Sequence, residues 1–188
     1  VPATAYGFAT GESAMVGSLG LAGIDGVTEH LSDGLRRLEY RGYDSAGIAV
    51  PSNGILEIRK VAGNVEGLAA LDRPIGRVGI GHTRWATHGP PTQRNAHPHA
   101  DCTTRIAVVH NGIIENHMAL KEKLAANGHR FASDTDSEVV AHLIEEHFQG
   151  DLLAALRAAL LHIEGSYALA LVSADAPDRI VIARDRSP

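Results

Sequence analysis

Apolar residues recur along this chain with two alternating periods. Val27, Leu31, Leu35 and Leu38 fall at i, i+4, i+8 and i+11, which puts them on one face of a helix. Residues 45–50 and 55–61 are runs of the strand type, and Pro51-Ser52-Asn53-Gly54 between them has turn chemistry. Residues 77–82 and 105–110 are two further strand-like runs. Between these, residues 84–100 hold three prolines and no apolar period, so a long loop is expected there. Asn116 stands where it can cap a helix carrying Leu120 and Leu124 and ending before Gly128. Thr135-Asp136-Ser137-Glu138 has the form of a capping box, and Val139, Val140, Leu143, Ile144, His147 and Phe148 continue one apolar face behind it. Leu152, Leu153, Leu156, Leu160 and Ile163 mark a third helix, after which residues 166–173 and 179–183 return to strand. Strands, then helices, then strands predict an α+β fold with helices layered on largely antiparallel sheets.

Composition narrows the picture without changing it. The 188 residues, 44% hydrophobic and 21% charged, suit a globular protein of about one domain. Lys+Arg of 17 against Asp+Glu of 22 leaves a net charge of -5 with no basic run, which argues against nucleic acid as a partner. One cysteine, Cys102, excludes an intrachain disulfide and any zinc site built on several thiolates. No apolar stretch approaches the roughly 18–20 residues of a membrane span, and no positively charged leader precedes one, so a cytoplasmic location is expected. The first 24 residues are rich in Gly, Ala and Ser and carry only Glu12 as a charge. Residues 1–14 are therefore expected to be a flexible extension, followed by one domain over residues 15–188. The stop at Pro188, just after a strand-like run, suggests a truncation at that end.

Three segments combine glycine, arginine and polar residues beyond what packing needs. They are Arg41-Gly42-Tyr43-Asp44-Ser45-Ala46-Gly47, Gly81-His82-Thr83-Arg84-Trp85-Ala86-Thr87-His88-Gly89 and His110-Asn111-Gly112. Arg84 beside Trp85, the only tryptophan, can clamp a carboxylate under an aromatic cover, since guanidinium presents a planar fork. Asn111-Gly112 is either a tight turn or a pair of donors for a developing oxyanion. Asp136 either complements a helix dipole or binds an ammonium group. His82, His88, His97, His99 and His110 raise the question of a metal, but they show no ligand register and are expected to be hydrogen-bonded or site-lining. Cys102, in a loop before a strand, has nothing in sequence to lower its pKa.

These residues also carry a family resemblance. Leu35-Arg36-Arg37-Leu38-Glu39-Tyr40-Arg41-Gly42-Tyr43-Asp44-Ser45-Ala46-Gly47, the His82–Gly89 run, Asn95-Ala96-His97-Pro98-His99, His110-Asn111-Gly112-Ile113-Ile114-Glu115-Asn116 and Ser133-Asp134-Thr135-Asp136-Ser137-Glu138 resemble the glutaminase domain of the glutamine–fructose-6-phosphate aminotransferases. The match runs in order from about Met15 to Pro188. The resemblance implies an N-terminal-nucleophile fold, a four-layer sandwich of two mainly antiparallel sheets between helices, here missing its last strands. It implies an N-terminal cysteine that attacks the glutamine side-chain amide, with its own α-amine as base.

Carried over to this chain, the resemblance gives Arg84 the glutamine α-carboxylate, Asp136 the α-ammonium, and Asn111 and Gly112 the oxyanion. Trp85, Thr87 and His88 would line the pocket and its lid, and Arg41 would brace the site. It implies glutamine as substrate, no cofactor and no metal. Fructose 6-phosphate would be met only through a sugar-isomerase half that this sequence does not contain, and the full-length parent would be a dimer.

One departure matters most. Where family members begin Met-Cys-Gly-Ile-Val-Gly, this chain reads Met15-Val16-Gly17-Ser18-Leu19-Gly20, with Val16 in the place of the cysteine. Valine has no nucleophilic atom, and a residue inside the chain has no free amine. Ser18, the nearest hydroxyl, would stand about 6–7 Å along a strand. The expectation is a glutaminase part that is inactive as written, or alternatively a glutamine-binding module without catalysis.

Overall fold

A computed structural model of the chain describes residues 4–8, 16–85 and 89–187, with side chains from residue 16 onward. Its elements run β1 (Thr4–Phe8), β2 (Gly17–Ala22), α1 (Val27–Leu38), β3 (Ser45–Ser52), β4 (Ile55–Ala62), α2 (Val65–Ala69), β5 (Val78–Arg84), β6 (His99–Ala100), β7 (Ile106–Ile114), α3 (His117–Ala126), α4 (Glu138–His147), α5 (Leu152–Leu160), β8 (Gly165–Ser173) and β9 (Ala176–Asp185). One sheet has the order β1-β2-β5-β3-β4 and the other β6-β7-β8-β9. Every strand pairing within them is antiparallel.

Side-chain alternation sorts the apolar residues onto three interfaces. In β3, Ala46, Ile48 and Val50 face α1 and α2, meeting Leu31, Leu35, Val65 and Leu68. In β7 and β8, Ile106, Val108, Leu169 and Leu171 face α4 and α5, meeting Val140, Leu143, Ile144 and Leu156. The opposite faces meet each other: Ala49, Val78 and Ile80 of the first sheet pack on Ala107, Val109, Ala170 and Val172 of the second. The result is helix, sheet, sheet, helix. All eight residues of β3 are buried because both of its faces are covered.

The periodic segments formed as expected. The β3–β4 hairpin closes through Asn53 and Gly54 at φ 50° and 80°, the left-handed pair that matches strand twist. Other segments did not. Residues 4–8, expected within a flexible extension, form β1 and pair with β2 from Thr4↔Ala22 to Phe8↔Ser18. Asn111-Gly112 is no turn: it lies inside β7, opposite Ala168 and Tyr167. Asn116 precedes α3 but does not cap it; its side chain donates to the His162 carbonyl and accepts from the Glu164 N–H.

The capping box does not form either. Glu138 reaches back to the N–H groups of Ala132 and Ser133, both at 2.7 Å, while Thr135 turns to Ser133 and His99. The loop over residues 84–100 ends in the short strand β6, which pairs with β7. Among the described residues, no helix is long and apolar enough to cross a membrane.

Candidate functional site

The two sheets leave one end of their shared layer polar. Counting by twos from the inter-sheet residue Ile80 reaches His82 and then Arg84, the last residue of β5. The same count from Val109 in β7 reaches Asn111. Gly17 pairs with Thr83, so the register continued by one residue sets Val16 opposite Arg84, on the same face of the sheet. Val16, Arg84 and Asn111 are thus brought to one end of the layer, and all three are buried.

Arg84 is only 4% exposed. Burial disfavours its charge, and the carboxylates of Asp136 and Asp44 work against that effect. Its carbonyl accepts from the Asp44 N–H at 3.1 Å. This close approach explains Gly42, where a Cβ would stand 2.7 Å from the Arg84 carbonyl carbon and 2.9 Å from the Trp85 nitrogen. Trp85 lies at the rim, half-exposed, with Tyr43 edge-on at 5.3 Å between ring centroids. Thr87 and His88, expected to line the pocket, lie outside the described residues.

Asp136 is buried in the segment that leads into α4, where its Oδ2 accepts the Ile114 N–H at 2.9 Å. The next residue, Ser137, is joined through Oγ to His110 Nδ1 at 2.8 Å. Two hydrogen bonds therefore fasten the Asp136 segment to β7, on either side of Asn111-Gly112. Gly112 has φ 134°, and a Cβ there would stand 2.7 Å from the Ser166 carbonyl carbon on β8 and nearer still to its oxygen. Arg41 occupies a 3-10 turn (Glu39–Arg41), where its Nε donates to Tyr40 Oη at 3.0 Å.

Behind Arg84 the layer is filled by imidazoles. The ring centroids of His82 and His97 are 4.4 Å apart, and those of His97 and His99 are 4.5 Å apart. Burial is the main reason all three are held neutral: His82 is lowered to about 3, and His97 and His99 fall well below the usual range. His82 Nδ1 is engaged by Ser18 Oγ at 2.8 Å. This pairing was invisible in the sequence, because Ser18 and His82 face each other only through the β2–β5 register. Lys60 is lowered to about 8, by burial first and by Arg84, against the pull of Glu138. The arrangement offers a buried cation and a buried carboxylate that act on each other electrostatically, suited to the two charges of an amino-acid head group.

The chain belongs to the glutamine amidotransferase domain family, whose model matches residues 82–187. Within that family it is similar to glutamine--fructose-6-phosphate aminotransferase [isomerizing]. It is 53% identical over 180 residues to the enzyme of Pyrococcus horikoshii and 54% identical over 177 residues to that of Thermus thermophilus. These alignments cover 93% of this chain but only 30% and 29% of the two relatives, so the chain spans about three-tenths of their length. Solved structures agree on the N-terminal-nucleophile amidotransferase fold. The glutamine phosphoribosylpyrophosphate amidotransferase from B. subtilis, complexed with ADP and GMP, superposes with a TM-score of 0.75 at 26% identity, over 89% of this chain and 37% of that one. A structure described as the allosteric regulatory enzyme of purine biosynthesis gives 0.77 at 28% identity, with the same coverage.

Proposed function

We propose that this chain is the glutamine-handling part of a glutamine–fructose-6-phosphate aminotransferase, and that as written it binds glutamine without cleaving it. The observation that carries this reading is that Arg84 and Asp136 are both buried and feel each other's charge, with Asp136 bonded to Ile114 just past Asn111-Gly112. In this reading the α-carboxylate of glutamine lies on the Arg84 guanidinium and its α-ammonium on Asp136. The side-chain carboxamide then extends toward Asn111 and Gly112, whose role is to stabilise negative charge on its oxygen. The family resemblance adds Trp85, Thr87 and His88 as pocket-lining residues and Arg41 as a brace for the site.

Val16 occupies the position from which attack would come. A methyl-bearing side chain has no lone pair to form a thioester, and the residue 16 nitrogen is an amide that cannot act as base. In a longer, cytoplasmic and dimeric parent, the same part with a cysteine at this position would release ammonia for a sugar-isomerase half that converts fructose 6-phosphate to glucosamine 6-phosphate.

Isothermal calorimetry with glutamine tests the pocket. The expected result is binding by the parent chain that is lost in Arg84→Ala and in Asp136→Ala while both variants keep the parent far-UV spectrum. Binding that survives both substitutions would refute the site. Glutamate release by the purified chain would refute the absence of turnover.

A further inference from the structure

A second group of chemically active side chains lies on the helix side of the second sheet, and the glutamine site does not use it. Cys102 belongs to the turn between β6 and β7. His129 follows α3, while His142 and Glu145 lie three residues apart on α4. Their ligand atoms all fall within 4.8 Å of one another. Cys102 Sγ is 3.5 Å from His142 Nδ1 and 3.7 Å from His129 Nδ1. Glu145 Oε2 is 2.9 Å from His129 Nδ1 and 3.2 Å from His142 Nδ1. A tetrahedron with bonds of about 2.0–2.3 Å has edges of about 3.3–3.8 Å, so these separations need only a small expansion around a central ion.

Each ligand is presented by its own local device. Asp101 closes the turn that carries Cys102, its Oδ1 accepting the N–H groups of Arg105 at 2.7 Å and Ile106 at 2.8 Å. Gly128, at φ 100°, ends α3 with paired bonds from Gly128 N to the Ala125 carbonyl and from His129 N to the Leu124 carbonyl, which aims His129 back at the turn. The i, i+3 spacing on α4 sets His142 and Glu145 on one face.

Outer contacts match what metal ligands require. The Arg130 N–H points at Cys102 Sγ from 3.3 Å. On the far side of the His142 ring, Nε2 stands 3.6 Å from Glu138 Oε1, the carboxylate–imidazole–metal order that orients a ligating histidine. His142 is almost fully buried, whereas Cys102 is exposed and borders a cavity of about 540 Å³ that gives an ion access.

We propose that Cys102, His129, His142 and Glu145 form a tetrahedral site for a divalent transition-metal ion of the zinc class. One thiolate, two imidazoles and one carboxylate suit such an ion and suit magnesium or calcium poorly. Four protein ligands leave no open position, so the role is structural: the ion ties the 101–104 turn and the segment after α3 to helix α4. Glu138, beside His142, holds Ala132 and Ser133 in the same segment that carries Asp136. Spacing along the chain does not reveal the site, because its ligands come from three separate segments and the only regular spacing is His142 to Glu145.

The test uses the full chain after removal of metal by a chelator. Zinc added back is expected to bind one ion per chain in competition with a chromogenic chelator and to raise the unfolding temperature. Cobalt(II) is expected to give intense visible ligand-field bands and a thiolate-to-cobalt charge-transfer band in the near ultraviolet. Cys102→Ser should remove the charge-transfer band, and both Cys102→Ser and His129→Ala should weaken zinc at least about tenfold. His30→Ala, on the exposed face of α1, should change nothing. A weak octahedral cobalt spectrum in the parent chain would overturn the proposal even if the variants fail to fold. So would zinc affinity unchanged by both substitutions.

Discussion

His82 links buried structure to acid stability in a way that can be worked through. Its imidazole is neutral in the folded chain because burial, His110 and Arg84 together lower its pKa to about 3. Unfolded, it regains about 6.5, so below that pH the unfolded chain binds more protons and stability falls as pH falls, down to about 3. The difference contributes roughly 0.1 kcal/mol at about pH 7.5, roughly 0.8 at about pH 6 and roughly 2 at about pH 5.

His97 and His99 act in the same direction, so the parent chain should lose more than this. His142 acts oppositely. Burial lowers it, but Glu138 and Glu145 raise it on balance, so its contribution is present at low pH and lost as pH rises through its folded pKa. A difference measurement removes these other groups. His82→Gln keeps a polar group near Ser18 and abolishes the titration. Urea unfolding of both chains at the three pH values should show the variant gaining on the parent by about 2 kcal/mol between about pH 7.5 and pH 5. Stability differences that do not change with pH would refute the buried-neutral assignment.

Two other substitutions separate local effects. Gly112→Ala combines a φ of 134° with a clash against the Ser166 carbonyl, and should cost roughly 2–6 kcal/mol in a urea titration. Gly54→Ala has φ 80° but open space around it, so it should cost only about 1–2 kcal/mol; equal losses would show that backbone angle alone decides. Val16→Cys in the full chain should release no glutamate, because the residue 16 nitrogen stays in a peptide bond. The same substitution in a chain trimmed to begin at residue 16 should restore release, and activity in the untrimmed variant would refute the need for a free amine.

The elements read most easily from sequence were those with a clean period and one covered face. α1 is an example: Val27, Leu31 and Leu35 recur at helical spacing and all three are buried. β2 was not legible because Gly17-Ser18-Leu19-Gly20-Leu21-Ala22 has no β-branched residue; it is a strand because β1 and β5 pair with it on either side. Asn111-Gly112 left a turn open as an alternative for a related reason. The dipeptide favours a turn locally, but nine residues of β7 pair continuously with β8, and that tertiary ladder overrides the preference. In the candidate site, residue types were legible and their partners were not. Nothing in the spacing of Ser18 and His82, or of Asp136 and Ile114, shows that they touch. Those contacts exist only through sheet register.

The strand β1 sets two requirements of this chain against each other. It covers the outer edge of β2, the strand that leads from residue 16 into the sheet. A chain that began at residue 16 would free the amine there, but it would also leave the β2 backbone from Gly17 to Ala22 unpaired on that side. An open edge of this kind invites pairing with a second molecule. Strand β1 therefore covers an edge that would otherwise be open, while the peptide bond before Val16 keeps its nitrogen chemically silent, and a trim to residue 16 changes both properties at once.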